Sequence, residues 1–272
     1  MAERDRRLGA NPLHRSQPGS LRQGARLGGG KARGLRLRLE RFAAGAEAAT
    51  RRGDVVIIVD ALRASVTVAA ALKVGASRVI PVPSVEAAMA YLACPGCLVA
   101  GERGGARIPS FDYGNSPLEL LRLEDALGGQ TLILTTSNGT RCVAAASGAS
   151  ALLVGSLPNL SVVSRAALMS AQELDRDITV VATGWMDQIA VEDSYSARAL
   201  GQRLVEMGAH PDDPRRLAQA SDDAASIFAE SASGRRLANL GYGEDVAFCA
   251  QTDVLDVAPI HNGAGFVPFD PG

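Results

Sequence analysis

Short apolar runs alternate with amphipathic, alanine-rich stretches along most of the chain. The clearest run, Val55-Val56-Ile57-Ile58-Val59, has five β-branched residues in succession, which is typical of a strand buried on both faces of a parallel sheet. An alanine-rich stretch from Val66 to Val74 follows it and has the composition of a helix. The same criteria predict further strands over residues 35–39, 78–82, 97–100, 131–136, 151–154 and 178–183, and helices over 42–52, 84–93, 160–174 and 190–207.

Strands and helices that alternate in this way indicate the α/β class, here a three-layer α/β/α arrangement with a mainly parallel sheet. The last part of the chain departs from the alternation. Its pattern predicts one helix or two short ones over 215–239, a turn over 241–245, and closing elements over 246–250 and 254–259. We expect residues 34–272 to form one domain, since a chain of this length can bury a large core.

Residues 1–33 have a different composition, with many arginines and glycines and little apolar periodicity. This composition predicts a disordered basic extension, or upstream sequence that an early start codon adds, because it offers little apolar surface to bury. A tail that binds nucleic acid is the alternative. The segment lacks the apolar core of a signal peptide.

Net charge, aromatic content and hydropathy argue against nucleic-acid and membrane partners. The formal net charge is −1 and aromatic residues make up 4% of the chain, so neither a positive field nor a stacking surface favours nucleic acid. No apolar stretch reaches the roughly 18 residues that a membrane span needs. We therefore expect a cytoplasmic protein without a nucleic-acid or membrane partner, and a homodimer is one oligomeric state to consider.

The cysteines and histidines offer little chemistry in this pattern. Cys94-Pro95-Gly96-Cys97 has the C-x-x-C form of a redox pair or half a zinc site, but a second C-x-x-C is missing and Pro-Gly is typical of a simple turn. We expect free thiols, which suit a reducing cytoplasm. The histidines, His14, His210 and His261, lie outside the polar strand-end turns, which argues against a His-centred triad or a His-rich metal site.

Polar residues collect instead where predicted strands end. Asp60, Arg63 and Ser65 follow the central strand. Because ligands bind outside the carboxyl ends of the strands in open α/β sheets, Asp60 could hold a metal and Arg63 could bind an oxyanion. The alternative is that Asp60 merely caps the next helix and Arg63 is a surface cation.

Two later strand ends have similar chemistry. Glu102 and Arg103 stand in a glycine-rich turn after residues 97–100, and Asp112 lies in the loop beyond it. The turn Ser137-Asn138-Gly139-Thr140-Arg141 precedes a helix and has the hydroxyls, amide and arginine of a phosphate cradle, although the P-loop spacing is absent. An Asn-Gly turn with a capping threonine is the alternative interpretation.

Glu192 and Asp193 begin one of the predicted helices. Adjacent residues point to different faces of a helix, so we expect that one of them could reach the site while the other meets solvent. Acidic residues in a first helical turn also favour the helix dipole without any further role, and that alternative stays open.

A mixture of carboxylates and arginines at strand ends suits phosphoryl chemistry. One or two carboxylates hold Mg²⁺ together with water and substrate oxygens, and arginines neutralise the charge on the transferring group. No G-x-G-x-x-G sequence follows the first strand, which weakens a dinucleotide-binding interpretation.

Short strings at the predicted strand ends extend this interpretation. They are VDALRAS at 59–65, AGERG at 100–104, FDYGNSP at 111–117, TTSNGTR at 135–141, GSLPN at 155–159, AVED at 190–193 and GEDVAF at 243–248. Together and in this order they closely resemble the 2-phosphosulfolactate phosphatase family, over about residues 35–260. The resemblance implies a Mg²⁺-dependent phosphatase that converts 2-phospho-3-sulfolactate to 3-sulfolactate and phosphate, on the route to coenzyme M. A phosphatase for another phosphorylated hydroxy acid and a non-catalytic module that binds an anionic metabolite are the alternatives.

Residue roles follow as hypotheses. Asp60 is either a metal ligand or a nucleophile that forms an aspartyl phosphate. Leu62 stands where haloacid-dehalogenase phosphatases need a second aspartate, so we favour a metal ligand and direct attack by water that the metal activates. The candidate catalytic residues are Asp60, Arg63, Glu102 and Arg141, the candidate metal ligands are Asp60, Glu102 and Asp112, and the candidate substrate ligands are Ser65, Arg103, Asn115, Ser137, Asn138, Gly139 and Thr140.

Overall fold

The computed structural model describes residues 34–123, 127–218 and 223–272, so the extension predicted over residues 1–33 lies outside the described ranges. The strands are β1 (Arg36–Arg41), β2 (Val55–Val59), β3 (Arg78–Pro81), β4 (Cys97–Arg103), β5 (Ala106–Arg107), β6 (Thr131–Thr135), β7 (Ala151–Val154), β8 (Ile178–Ala182), β9 (His210–Pro211), β10 (Pro259–His261) and β11 (Phe266–Pro268). The helices are α1 (Phe42–Arg52), α2 (Ala64–Lys73), α3 (Val85–Met89), α4 (Pro117–Leu121), α5 (Gly139–Ala145), α6 (Leu160–Leu174), α7 (Val191–Glu206), α8 (Ala224–Glu230), α9 (Ala232–Asn239) and α10 (Gly243–Cys249).

One mixed sheet joins these strands in the order β5-β4-β6-β3-β11-β10-β7-β2-β8-β1-β9. Two parallel blocks, β4-β6-β3 and β7-β2-β8-β1, form most of it. The antiparallel hairpin β10–β11 bridges the blocks by pairing with β7 on one side and with β3 on the other. The α/β class and the mainly parallel sheet are therefore confirmed.

The central strand β2 separates two apolar cores. All five of its residues are buried, as their β-branched run predicts. Val55, Ile57 and Val59 face one core, which includes α6 and α7, while Val56 and Ile58 face the other, which includes α1. Successive strand residues point to opposite faces, so this alternation places helices on both sides and makes the three layers.

Strand β4 and helix α10 differ from their predicted forms. Strand β4 continues through Arg103 and turns back into β5, so Glu102 and Arg103 belong to a strand and the turn is Gly104-Gly105. Helix α10 occupies residues predicted to form a turn and a closing element, because Val246 and Cys249 are three residues apart and share one buried helical face.

Two shorter features also depart from prediction. Helix α3 ends at Met89, before the predicted end near residue 93. Cys94 and Cys97 are bonded to each other, because the Pro-Gly turn brings their Cα atoms to 5.4 Å, so the expectation of free thiols is wrong for this pair. Cys142 and Cys249 are free and buried. No helix within the described ranges is both long and apolar enough to cross a membrane.

Candidate active site

A small cavity of about 30 Å³ lies at the carboxyl edge of the sheet. Its wall contains the residues that directly follow β2 and β8, the end of β4, and the first turn of α7. Its charged lining consists of four carboxylates and two guanidinium groups: Asp60, Glu102, Glu192, Asp193, Arg63 and Arg236. This position is the one where open α/β folds bind their ligands.

Asp60 is held at the end of β2 by backbone contacts. Its Oδ1 accepts from the Ala64 N–H at 3.2 Å, and its own N–H donates to Ser65 Oγ at 2.9 Å. Gly139 lies against the other carboxylate oxygen so closely that a Cβ there would be 2.8 Å from Oδ2. Burial, and then the charges of Glu102 and Glu192, raise the pKa of Asp60 to about 7.

Asp193 connects the start of α7 to two neighbouring strand ends. Its Oδ1 accepts from the Ala61 N–H at 2.8 Å, and its Oδ2 accepts from the Thr183 hydroxyl at 3.0 Å and from the Gly184 N–H at 2.8 Å. Burial raises the pKa of Asp193 well above its ordinary value, and the nearby charges of Asp60 and Glu192 add to the rise. Asp193 therefore fixes the start of α7 to the ends of β2 and β8.

Glu192 has no such partners. The residue is 2% exposed, and its carboxylate accepts no hydrogen bond and forms no ion pair within the described residues. An isolated buried carboxylate is costly unless a proton or a cation neutralises it. Glu192 is thus the lining carboxylate most available to a bound cation.

Glu102 organises two turns of the cavity wall. Its Oε1 accepts from the Ser137 N–H at 2.7 Å, and its Oε2 accepts from the Gly105 N–H at 2.6 Å and from the Ser137 hydroxyl at 3.2 Å. The Ser137 N–H therefore donates to a carboxylate of the protein, and Gly139 packs against another, that of Asp60. The predicted phosphate cradle at 137–141 is in this conformation largely a support for Glu102 and Asp60.

Arg63 is fully buried and already paired. It donates from Nη1 to Asp245 Oδ2 at 2.5 Å and from Nη2 to the Gly105 carbonyl at 2.9 Å, and it stacks 4.2 Å from the Tyr242 ring centre. The guanidinium forms part of the cavity wall, but its charge is neutralised by Asp245. Its surroundings exclude the interpretation of Arg63 as a surface cation.

Arg236 of α9 is the other lining arginine. Its guanidinium carbon lies 4.6 Å from the centre of the Trp185 ring, and its Nε is buried without a hydrogen-bond partner. It forms no ion pair with any residue of the described ranges. The side chain therefore brings an uncompensated positive charge to a cavity that is otherwise acidic. A ring contact on one face leaves its planar donor edge free for an oxyanion.

The structure brings six of the predicted site residues into the cavity wall. They are Asp60, Arg63, Glu102, Asn115, Ser137 and Asn138. Asn115 is 3% exposed, and its Oδ1 has no hydrogen-bond partner. This oxygen is therefore free to accept a hydrogen bond from a bound molecule. Gly139 contacts the Asp60 carboxylate from outside the lining.

The other predicted site residues lie outside the cavity wall. Ser65 Oγ is tied to β2 through the Ile58 carbonyl at 3.2 Å. Asp112 accepts from the Val99 N–H at 2.8 Å, and Arg103 donates to the Thr135 hydroxyl at 3.0 Å. Thr140 donates to the Thr136 carbonyl at 3.2 Å. Arg141 has a side chain that is 57% exposed and lies 3.5 Å from Asp187.

Helices α7 and α9 contribute more to the site than the sequence predicts. Glu192 and Asp193 are both buried and both line the cavity, so the expectation that one of them could meet solvent is wrong. The first turn of the helix points at the cavity, so adjacent residues on different faces of that turn both line it. Arg236 and Ser233 reach the site from α9, and no local pattern marked them.

The lining fits a divalent cation of the Mg²⁺ type. Within the described residues, no three His, Cys, Asp or Glu side chains lie close enough to enclose a metal by themselves. Mg²⁺ commonly uses only one or two carboxylates and completes its shell with water and substrate oxygens. Asp60 and the unpartnered Glu192 are the two carboxylates that would hold such a cation.

Stability of the metal-free protein should fall as pH rises from about 4 to about 7. Asp60 has a folded-state pKa of about 7 against an ordinary value of 3.8, so the folded state keeps a proton that the unfolded state has lost. Raising the pH through this window therefore favours unfolding, and Asp193 acts in the same direction. Thermal denaturation in EDTA should give a falling Tm for the wild type and a flatter profile for Asp60→Asn. A wild-type Tm that rises across this window would contradict the assignment.

Comparison with known proteins places this chain in a family. The family model described as 2-phosphosulpholactate phosphatase matches residues 43–264. A protein of Carboxydothermus hydrogenoformans named "Probable 2-phosphosulfolactate phosphatase" is 36% identical over 210 residues, which are 75% of this chain and 84% of that protein. Proteins with the same name from Deinococcus radiodurans and Thermus thermophilus are 34% and 35% identical over 76% and 77% of this chain, and cover 87% and 89% of their own lengths. The chain therefore belongs to the 2-phosphosulpholactate phosphatase family.

Proposed function

We propose that this protein is a phosphoric monoester hydrolase that converts 2-phospho-3-sulfolactate to 3-sulfolactate and phosphate. The names of the family and of its relatives support this reaction. The observation that carries the proposal is a single cavity lined by four carboxylates and by the unpaired guanidinium of Arg236. A polyanionic substrate would be repelled by carboxylates alone. A bound cation resolves the conflict, and an arginine then orients a second anionic group of the substrate.

We propose Mg²⁺ as that cation, held by Asp60 and Glu192. When bound, it would neutralise charge on the phosphoryl group and lower the pKa of a water molecule. Glu102 is a further candidate ligand, because its carboxylate faces the cavity while it holds Ser137 and Gly105 in place. Asp112 is not part of the proposed set, since it lies outside the wall and binds the backbone of Val99.

The remaining roles fall to side chains of the cavity wall. Asp60 would bind the cation as a carboxylate, and the cation would offset the burial that raises the pKa of Asp60 to about 7 in the metal-free protein. Arg236 would bind the sulfonate or carboxylate end of the substrate. Asn115 Oδ1, which is buried without a hydrogen-bond partner, would accept a hydrogen bond from a water molecule in the cavity.

Substrate entry requires the cavity to open. A volume of about 30 Å³ has room for about one water molecule, far less than a phosphorylated sulfonate needs. Trp185 and Arg236 contact each other in the wall, so their separation is the simplest way to enlarge the cavity. We therefore propose that the described conformation is the closed one.

Replacing Arg236 with glutamine should raise KM by about ten- to a hundredfold, with a smaller change in kcat. The expected loss is that of one charge-assisted contact, about 1.5–3 kcal/mol. Arg235→Gln is the matched control, because Arg235 is the preceding residue of the same helix and its side chain is exposed. Arg141→Gln tests the role predicted from sequence. An effect of Arg141→Gln that exceeds that of Arg236→Gln would reverse the assignment of the anion contact.

Phosphate release from 2-phospho-3-sulfolactate by the purified chain is the direct test of the function. We expect release with Mg²⁺ and its loss in EDTA, with restoration when Mg²⁺ is returned. Asp112→Asn should leave the Mg²⁺ dependence unchanged, whereas Glu192→Gln should raise the Mg²⁺ concentration required. Release that survives EDTA would retain the reaction and reject the metal. Release only from another phosphorylated hydroxy acid would retain the chemistry and change the substrate.

The cellular setting forms part of the same proposal. The family resemblance suggests a cytoplasmic enzyme on the route to coenzyme M, where the sulfolactate product would be used. Binding of the phosphorylated sulfonate without turnover, and without sensitivity to EDTA, would instead favour a non-catalytic module for an anionic metabolite.

A further inference from the structure

A second and larger cavity lies beside the active site. It has a volume of about 450 Å³ and is enclosed by the end of β1, one side of α1 and one side of α7. That volume is within the range of small-molecule sites, which usually measure about 300–1,000 Å³. Three arginines line it: Arg41, Arg198 and Arg216.

Two of these arginines have no counter-charge. Neither Arg41 nor Arg198 forms an ion pair with any residue in the described ranges, and Arg198 Nε is buried without a hydrogen-bond partner. Burial and the positive charge of Arg41 lower the pKa of Arg198, and Tyr195 partly offsets the effect. The two guanidinium groups therefore repel each other across the wall of an open cavity.

The other charges nearby are already engaged. Glu40 lines the cavity and lies 3.9 Å from Arg52. Arg216 donates to the Leu39 carbonyl at 2.8 Å and lies 3.9 Å from Asp213. Helix α1 has no acidic residue in its first turn and no side-chain cap. Nothing among these groups neutralises Arg41 and Arg198, and an anion between them would do so.

We propose that this cavity is a second anion-binding site, for a small ligand with a tetrahedral oxyanion such as a phosphate or a sulfonate. Two guanidinium groups can bind a tetrahedral oxyanion, because each has several N–H donors in one plane. The apolar part of the lining, which consists of leucine, alanine and glycine, would accommodate a short carbon chain. The proposal concerns binding and does not depend on the reaction at the active site.

The cavity shares helix α7 with two carboxylates of the active-site lining. Ser194 and Arg198 of α7 line this cavity, whereas Glu192 and Asp193 of the same helix line the active site. An anion held here would therefore contact an element that positions these two carboxylates.

Equilibrium binding of inorganic phosphate to the full chain in EDTA tests the proposal. EDTA removes the cation that the phosphoryl group would contact, and an Arg236→Gln background removes the unpaired arginine of the active site, so we expect one remaining phosphate site. Adding Arg41→Gln and Arg198→Gln should weaken that site at least tenfold, while Arg51→Gln, an exposed arginine of α1, should not. Methanesulfonate in place of phosphate distinguishes a sulfonate site from a phosphate site, and binding of either supports the oxyanion assignment.

Thermal denaturation gives a second measurement that does not require counting sites. Phosphate should raise the Tm of the wild type more than that of the Arg41→Gln, Arg198→Gln variant. Without phosphate this variant should be at least as stable as the wild type, because it loses a repulsion and no ion pair. Unchanged phosphate binding in the variant, an equal loss in Arg51→Gln, or a cavity filled by a second copy of the chain in a concentration-dependent dimer would overturn the proposal.

Discussion

Asp60→Asn should lower kcat by about a thousandfold while leaving the protein folded. The substitution removes a proposed ligand of the cation, and the charge stabilisation that a bound cation supplies is typically several kcal/mol, or about 10³ in rate. The substitution keeps the size of the side chain, and an amide oxygen can still accept from the Ala64 N–H. Turnover of 2-phospho-3-sulfolactate at saturating substrate and Mg²⁺ is the measurement.

The control for this prediction is Asp112→Asn. Both changes remove one carboxylate near a strand end, but Asp112 lies outside the cavity and holds the Val99 N–H. We expect kcat within a few-fold of the wild type for Asp112→Asn. In EDTA at pH 8, Asp60→Asn should also be more stable than the wild type, because it removes a buried charge whose folded pKa is about 7. An Asp60→Asn enzyme with kcat within tenfold of the wild type would remove Asp60 from the reaction.

The sequence predicts the centre of the site because the centre is local. The β-branched run of β2 identifies a buried strand, and the rule that ligands bind at carboxyl ends of strands then points to Asp60. The same rule identifies Glu102 at the end of β4. Both residues line the cavity.

The same rule cannot decide between neighbours on one strand. The sequence predicts that Glu102 and Arg103 are two residues of a turn, from which both could reach a ligand. Strand β4 in fact continues through both, so their side chains point to opposite faces and only Glu102 enters the cavity wall. The position at which a strand ends therefore decides which charge faces the site, and this end is set by pairing with β5.

The other residues of the site cannot be predicted from a local sequence pattern, because tertiary contacts determine their positions. Arg236 lies on α9, a short helix whose place above the strand ends depends on tertiary contacts. Asp245 neutralises Arg63, although the two residues are 182 positions apart in the sequence, and no sequence motif predicts that they form a pair. The hairpin β10–β11 cannot be predicted either, since strands of three residues are too short to show an alternation of apolar and polar residues.

Asp245→Ala should be the most destabilising single change among the charged residues near the cavity. It leaves the Arg63 guanidinium buried and unpaired, which typically costs about 3–5 kcal/mol. The side chains of Arg63 and Asp245 are 1% and 3% exposed, so water cannot replace the lost partner. Asp245 also accepts from the Ser116 hydroxyl at 2.8 Å at the start of α4, and this contact would be lost as well. Urea denaturation gives the free energy of unfolding.

Glu244→Ala is the matched control for Asp245→Ala. Glu244 is the preceding residue of the same helix turn and pairs with Arg122, but both side chains are largely exposed, at 78% and 69%. We expect a change below about 1 kcal/mol there, as for most exposed ion pairs. Combining Asp245→Ala with Arg63→Met should cost less than the sum of the single changes, because the second substitution removes the unpaired charge. Strict additivity would mean that Arg63 and Asp245 do not stabilise each other, and the cavity wall would then owe its position to other contacts.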